Sequence, residues 1–222
     1  MLREGNLQKI KGKLITFEGC EGVGKSTQIA LLKEYCVKNN IDAVFTREPG
    51  GSVIAEELRK IILEPDNKID PITELMLYAA ARREHICQLI APALQQGKTV
   101  FCDRFIDSTV AYQGYGRGLS LQNIESLNQI ALSILKKDGG YIDIDLTVFF
   151  DLEPAAGFAR KGGANPLDRM DSEDIAFHKK VYNGYLEISK KEKKRVVKVD
   201  ASGGPTEIFE RVLTILRGRG VL

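Results

Sequence analysis

Absences narrow the class of this chain first. It has almost no net charge: 32 Lys+Arg oppose 30 Asp+Glu, a formal +2. Electrostatics therefore give no reason to expect nucleic acid as a partner. No apolar run approaches the ~18–20 residues of a membrane helix, and runs such as 147–150 and 61–63 fall far short. The opening MLREGN has no apolar h-region, so no secretory signal is expected. Cysteine is scarce: Cys20, Cys36, Cys87 and Cys102 form no C-x-x-C pair, and neither His85 nor His178 stands near them at ligand spacing. Neither a zinc site nor a disulfide framework is expected. A reducing cytoplasm is, with all four cysteines buried as small apolar side chains. Both histidines are expected to be structural or surface residues.

What remains is the composition of a soluble globular protein, 43% hydrophobic and 28% charged. At 222 residues one domain is the default. Residues 1–12 are polar, basic and aperiodic, and read as a flexible tail before a single domain at 13–222. Apolar runs at 13–18, 43–46, 99–103, 146–151 and 196–199 predict five strands. Helical patterns lie between them. One opens at Ser26, with Ile29, Leu32 and Cys36 on one face. Ser52 caps a second, whose expected inner face is Ile54, Leu58, Ile61 and Ile62. Asp70 and Pro71 open a long helix running to about 96 and kinked at Pro92. Ser120 starts a helix with Ile124, Leu127, Ile130 (or Ala131) and Ile134 inward. Further helices begin at Pro154, follow a Gly/Pro loop at 161–169, and end the chain at 205–216. Strand–helix alternation with near-continuous apolar strands predicts a parallel sheet covered on both faces. The basic run 190–195 is expected to solvate a helix end.

Gly19-Cys20-Glu21-Gly22-Val23-Gly24-Lys25-Ser26 fits G-x-x-x-x-G-K-[ST], between a strand and a helix. Glycines let backbone N–H groups curl around phosphate oxygens, and the helix N-terminus adds positive potential. Lys25 supplies a point charge to the β/γ-phosphates and Ser26 a hydroxyl for Mg²⁺. Glu21, a carboxylate beside a phosphate cradle, needs a positive use. Two other patterns are chance matches: residues 67–70 (NKxD) and 200–203 (DxxG) occur in reversed order, and the former follows a helix.

Arg47-Glu48-Pro49-Gly50-Gly51, Arg82-Arg83 with Tyr78, Asp103-Arg104 and Ser108–Gly114 are further clusters, and Arg160 and Arg169 flank the Gly/Pro loop. Carboxyl ends of parallel strands share one edge, where ligands bind. Residues 18–24, 47–51, 103–104 and 151–152 should therefore converge. So many cations at one edge suit two anionic ligands, hence transfer between nucleotides rather than hydrolysis. Adjacent arginines diverge, so at most one of Arg82 and Arg83 reaches a ligand. A different nucleotide acceptor, or a P-loop ATPase or GTPase switch, are the competing readings.

FEG-x-EG-x-GKST, TREPGGS, LYAAARREH, CDRF-x-DS and AYQGYGRG together make the chain resemble the bacterial thymidylate kinases, from about residue 14 to 216. The resemblance implies the three-layer P-loop NTPase fold, with a five-stranded parallel sheet, helices on both faces and a small lid near 160–170. It implies transfer of the γ-phosphoryl group of ATP to the 5′-phosphate of dTMP in dTTP synthesis, with Mg²⁺, by a cytoplasmic homodimer. Nucleic acid and membrane are not implied partners. By the same likeness Gly19–Ser26 and Thr27 hold ATP, and Glu21 meets the acceptor's 3′-hydroxyl and a metal-bound water. Arg104 binds the 5′-phosphate, with Arg47, Pro49 and Arg59 nearby. Arg82 and Gln113 hydrogen-bond the base, Thr109 belongs to the same dTMP site, Tyr78 packs on the base, and Tyr112 crowds the ribose 2′-position. Lys25, Arg104 and Glu21 are catalytic, with Arg160 or Arg169 supplying the lid arginine. Residues 200–204 border the adenine. Ser26 and Asp103, the latter through water, serve the metal, and Asp103 is preferred to Asp151.

Overall fold

A computed structural model describes residues 12–134, 140–161 and 168–222. The chain runs β1 (Leu14–Glu18), α1 (Lys25–Lys38), β2 (Ala43–Arg47), α2 (Val53–Leu63) and α3 (Pro71–His85). A π-helical stretch (Ile86–Ile90) joins α3 to α4 (Ala91–Gln95), followed by β3 (Thr99–Asp103), α5 (Ile106–Thr109) and a second π-helical stretch (Val110–Gly116). The remainder is α6 (Leu121–Leu132), β4 (Ser133–Ile134), β5 (Gly140–Tyr141), β6 (Leu146–Asp151), α7 (Pro154–Lys161), α8 (Ile175–Lys191), β7 (Val196–Asp200) and α9 (Pro205–Gly218).

The sheet has five parallel strands in the order β2-β3-β1-β6-β7, with β1 central. Ile15 aligns with Phe101, and Phe17 with Val148, so these side chains share one face. There they share a core with Leu32 and Cys36 of α1 and Val212 and Leu216 of α9. Leu14, Val100 and Cys102 take the other face, against Ile86, Ile90 and Leu94, and Phe149 stacks on Tyr185 of α8. Each such buried side chain contributes about 1.5–3 kcal/mol. Both faces are thus covered, as apolar strand runs require.

Local signals place several helix starts. Asp70 accepts from the amides of Ile72 (2.9 Å) and Thr73 (3.2 Å), with Pro71 at the first helical position. Ser52 accepts from Ala55 N and Asp174 from Phe177 N. The long helix expected to kink at Pro92 instead changes to π winding over Ile86–Ile90, just ahead of the proline. Widening the winding there accommodates a proline that has no N–H and whose ring presses on the preceding turn.

Other expectations are corrected. Ile54 and Ile61 are exposed, and the inner face of α2 is Ala55 and Ile62 with Leu58 half-buried. In α6 the inward residue is Ala131 rather than Ile130, and the helix ends at Leu132, where β4 pairs antiparallel with β5. Cys87 is exposed, whereas Cys20, Cys36 and Cys102 are buried, and all four are free. Of the expected tail, residues 1–11 lie outside the described residues. Gly12 is tied down, its amide donating to Leu94 O at 3.0 Å. Most of the 161–169 loop, residues 162–167, also lies outside them. Lys190 in the basic run pairs at the surface with Glu187, but Arg195 turns inward to Asp107 at 2.6 and 2.8 Å.

Candidate active site

The loop after β1 is shaped by left-handed backbone at Gly22 (φ 72) and Gly24 (φ 94), which side-chain-bearing residues rarely adopt. A Cβ on Gly22 would come 2.2 Å from Gly157 O, so α7 can lean on the loop only because position 22 is bare. Helix α1 begins directly afterwards at Lys25, leaving its first amides without helical partners. Lys25 is buried and donates to Gly19 O (3.0 Å) and Cys20 O (2.9 Å), so the lysine braces its own loop. Burial lowers its pKa, and the charge of Arg104 adds to that. Ser26 and Thr27 are exposed at the cleft. Cys20 contributes backbone only: its thiol is in the core, pushed up to about 12 by burial.

Arg104 follows β3 with φ 68, a left-handed conformation that costs a non-glycine residue about 1 kcal/mol or more. Its neighbours hold it there. Arg104 N donates to Phe17 O (2.9 Å), and the next amide, Phe105 N, donates to Glu18 Oε1 (2.7 Å). Glu18 also accepts from Ser108 Oγ (2.6 Å) and Tyr185 OH (3.0 Å). Burial, then the nearby Asp107 charge, raise the Glu18 carboxyl to about 7. The strained turn aims the guanidinium along the cleft. NH1 donates to Gly19 O (2.9 Å), Ser108 Oγ (3.3 Å) and Tyr185 OH (3.2 Å), and NH2 donates to Glu21 Oε1. Glu21 Oε1 also accepts from Tyr112 OH at 3.0 Å. Arg104 thereby ties the phosphate loop to the second π-stretch.

Behind it lies a network of buried polar side chains. Arg82 is 2% exposed and spends its fork on three partners: Nε donates to Glu48 Oε2 (2.7 Å), NH1 to Asn128 Oδ1 (2.7 Å) and NH2 to Thr109 Oγ1 (2.9 Å). Arg83 diverges to the carbonyls of Ala131 and Ser133, so only Arg82 reaches the cleft. His85, wholly buried, bridges Thr46 Oγ1 (2.7 Å) and Glu48 Oε1 (3.1 Å), a structural role. Tyr78 lines the cleft, its hydroxyl pKa raised by burial and by Glu74. Arg59 donates to Pro49 O (2.8 Å), and Arg47 pairs with Glu56 (3.0 Å).

One continuous cleft of about 950 Å³ gathers these groups. Of the expected site residues, Glu21 through Thr27, Arg47, Pro49, Arg59, Tyr78, Arg82, Asp103, Arg104, Thr109, Tyr112, Gln113 and Arg160 all line it. Gly19 and Cys20 lie behind the loop. Arg169 does not line it either: its Nε donates to Ile62 O (2.9 Å) and NH2 lies 2.6 Å from Glu74 Oε2. Arg160 docks on the loop before α9, donating to Ala201 O and Gly203 O. Of the four strand ends expected to converge, β6 fails. Asp151 is occupied by Tyr182 OH (2.8 Å) and Lys198 (2.6 Å), outside the cleft. Asp103 lines the cleft, and its buried Oδ1 has no hydrogen-bond partner among the described residues. Among the described residues no group of three or more His, Cys, Asp or Glu could hold a metal. Sequence reasoning missed Glu18, Glu48, Glu74, Arg117, Asn128 and Tyr185. Glu18, Glu48 and Arg117 lie inside the quoted motifs without having been singled out, and Glu74, Asn128 and Tyr185 had no local signal.

A P-loop at the carboxyl edge of a parallel sheet, facing a second cluster of cations in the same cleft, defines a nucleotide-dependent phosphotransferase of the P-loop class. The family model "Thymidylate kinase" matches residues 17–212. A thymidylate kinase from Synechococcus sp. (strain JA-3-3Ab) is 44% identical, with 92% of this chain and 95% of that one covered. One from Clostridium novyi (strain NT) is 41% identical, covering 93% and 99%. The crystal structure of thymidylate kinase from Ehrlichia chaffeensis superposes with a TM-score of 0.72 at 33% identity, covering 92% of this chain and 98% of that one. The chain belongs to the thymidylate kinase family.

Proposed function

We propose that this cleft moves the γ-phosphoryl group of ATP onto the 5′-phosphate of dTMP, giving dTDP and ADP on the way to dTTP. The observation that carries this reading is Arg104. It reaches the phosphate loop through Gly19 O and Glu21, and it shares the cleft with Arg82 and Gln113. A phosphate held there stands between the loop and a pocket for a base.

No general base is required. The second pKa of a phosphate monoester is about 6, so the attacking oxygen is already anionic at neutral pH. Catalysis is then positioning and charge neutralisation. Lys25 faces the donor phosphates from within the loop, and Arg104 holds the acceptor phosphate. Arg160, at the base of the lid proposed for residues 160–170, is the lid arginine best placed to join them. Glu21, bonded to Arg104 and Tyr112, orients that arginine and accepts from the sugar. Tyr78 supports the base, and Tyr112 walls off the ribose 2′-position. Arg47 and Arg59 add positive charge on the acceptor side, and the 200–204 loop borders the adenine, with Gly203 and the following Pro205 and Ile208 lining the cleft.

The unpartnered buried oxygen of Asp103 and the exposed Ser26 hydroxyl fit Mg²⁺, which keeps most of its waters and takes few protein ligands. Ser26 would hold it directly and Asp103 through water. When bound, the ion neutralises the β- and γ-phosphate oxygens. A homodimer is part of this reading, supported by the exposed apolar side chains Ile54, Ile61, Ile72 and Met76 on α2 and α3. Sedimentation velocity should then give twice the chain mass. Free cysteines suit a reducing cytoplasm, and no helix among the described residues is long and apolar enough to cross a membrane.

The test presents dTMP, dUMP, dCMP, AMP and thymidine separately with ATP and Mg²⁺. Product formation should be fastest with dTMP. A preference for another acceptor, or ATP hydrolysis indifferent to acceptor, would overturn the reading.

A further inference from the structure

Glu74 is wholly buried in α3, yet its carboxylate is among the most heavily bonded in the protein. It accepts from Gln113 Nε2 (2.8 Å) and from Arg117 Nε (3.3 Å) and NH2 (3.2 Å), and Arg169 NH2 stands 2.6 Å away. Burial pushes its pKa up. The hydrogen bonds from Arg117 and Gln113, with the charges of Arg117 and Arg169, outweigh that and hold it below the usual carboxylate value. The group is therefore an acceptor only.

This has a chemical consequence for Gln113. An amide has a donor end and an acceptor end that differ little in shape, and the partner decides which faces which way. An acceptor-only partner at 2.8 Å requires the NH2 end to face Glu74. The carbonyl Oε1 is then the end left for the cleft, which Gln113 lines. No donor among the described residues is bonded to that oxygen. Arg82, in the same cleft, is a donor only. The base pocket thus offers an acceptor and a donor whose senses cannot be exchanged.

We propose that Glu74 is a positioning residue that fixes the hydrogen-bond sense of Gln113, and thereby selects a pyrimidine carrying a ring N–H beside a carbonyl against one carrying a bare ring nitrogen beside an amino group. Thymine and uracil satisfy both contacts. Cytosine would place a lone pair against Oε1 and an amino group against a guanidinium, leaving polar groups unpaired or repelled. The proposal rests on the dTMP reading above and adds to it the source of the discrimination. It also connects the base pocket to Arg169, at the far end of the 161–169 loop, through one carboxylate.

The test measures kcat/KM for dTMP and for dCMP in the full-length wild type, Glu74→Gln and Gln113→Ala, with KM for ATP alongside. A glutamine at position 74 offers both a donor and an acceptor, so Gln113 loses its fixed sense. The dTMP/dCMP ratio should fall about tenfold, the equivalent of one or two hydrogen bonds, with KM for ATP unchanged. A merely structural role would depress both acceptors together and leave the ratio alone. A ratio within twofold of wild type in Glu74→Gln, with the ratio reduced in Gln113→Ala, overturns the role of Glu74 and leaves the dTMP reading standing. An unchanged ratio in Gln113→Ala, or a wild type that ignores dTMP, overturns the base-reading site and the proposal with it. If Glu74→Gln gives no folded protein, Glu74→Asp keeps the charge for Arg117 and Arg169 while drawing back from Gln113. The same fall in ratio is expected there, and its absence overturns the proposal.

Discussion

The two ends of the cleft are built by different means. The phosphate end is one contiguous stretch, residues 19–27, bounded by a strand and a helix. Its shape comes from three glycines with positive φ, Gly19, Gly22 and Gly24, and its polar groups are backbone atoms, the Lys25 ammonium and small hydroxyls. The end proposed for the base draws Glu48, Glu74, Arg82, Thr109, Gln113 and Asn128 from separated segments. There each of these side chains is hydrogen-bonded to another of them. A backbone cradle loses one function when one side chain is removed. In a buried network the deletion leaves a desolvated charge behind, so function and stability fail together.

The largest expected effect tests the cradle. Lys25→Ala should cut phosphoryl transfer by roughly 10³-fold or more, the scale of removing a group that stabilises transition-state charge. Thermal melting should change little, since the lowered pKa of Lys25 marks it as a cation paying for its burial. Near-normal turnover would end the assignment of the loop. Arg82→Met tests the network and should behave oppositely. Loss of its partner leaves Glu48 buried with only its His85 contact among the described residues, at a cost of about 3–5 kcal/mol in stability. Calorimetry should show weakened dTMP binding with ATP affinity nearly unchanged, and equal losses for both ligands would dissolve the distinction between the two ends.

A third prediction concerns Glu18, which stands between them. Its carboxyl is raised from 4.5 to about 7 in the folded chain, so between those values the native state binds more protons than the unfolded one. Its contribution is fully present below about pH 4.5 and is lost as pH rises through about 7, amounting to up to roughly 3 kcal/mol. Glu18→Gln should flatten that part of the stability profile in urea melts taken across the window. An unaltered slope would show that Glu18 titrates as an ordinary carboxyl. The smallest effect is expected from Tyr112→Phe, which removes one hydrogen bond to Glu21. It should lower kcat/KM for dTMP by about 1 kcal/mol equivalent and leave KM for ATP alone. Tyr112→Ala should additionally relax discrimination against UMP, and unchanged selectivity would remove its role as a wall for the ribose.

The phosphate loop was legible because its residues are neighbours in the chain. So were the caps at Ser52 and Asp70, where one side chain meets amides two or three residues away. Asp103 was separable from Asp151 in the sequence only by its adjacency to Arg104, and only the fold shows that Asp151 is bonded to Tyr182 and Lys198. Arg169 shows the opposite case. Its position beside a Gly/Pro loop suggested contact with ATP, while its guanidinium is spent on Ile62 O and Glu74. Ile54 and Ile61 misled for a related reason: an apolar residue on an amphipathic helix says that a face is covered, not whether by its own chain.

The five strands of the parallel sheet, the glycine-rich loop and several helix starts are set within short windows of sequence, because apolar periodicity, glycine φ and capping bonds act over a few residues, whereas the β4–β5 pair was not foreseen. Tertiary structure alone decided which buried charges meet. It brought Glu18 under Arg104 and Glu48 onto Arg82, and it set Glu74 against Gln113, Arg117 and Arg169. These pairings join residues up to about a hundred positions apart. In a desolvated interior each polar group must find a partner at hydrogen-bond distance, and only the packed chain determines which one is there.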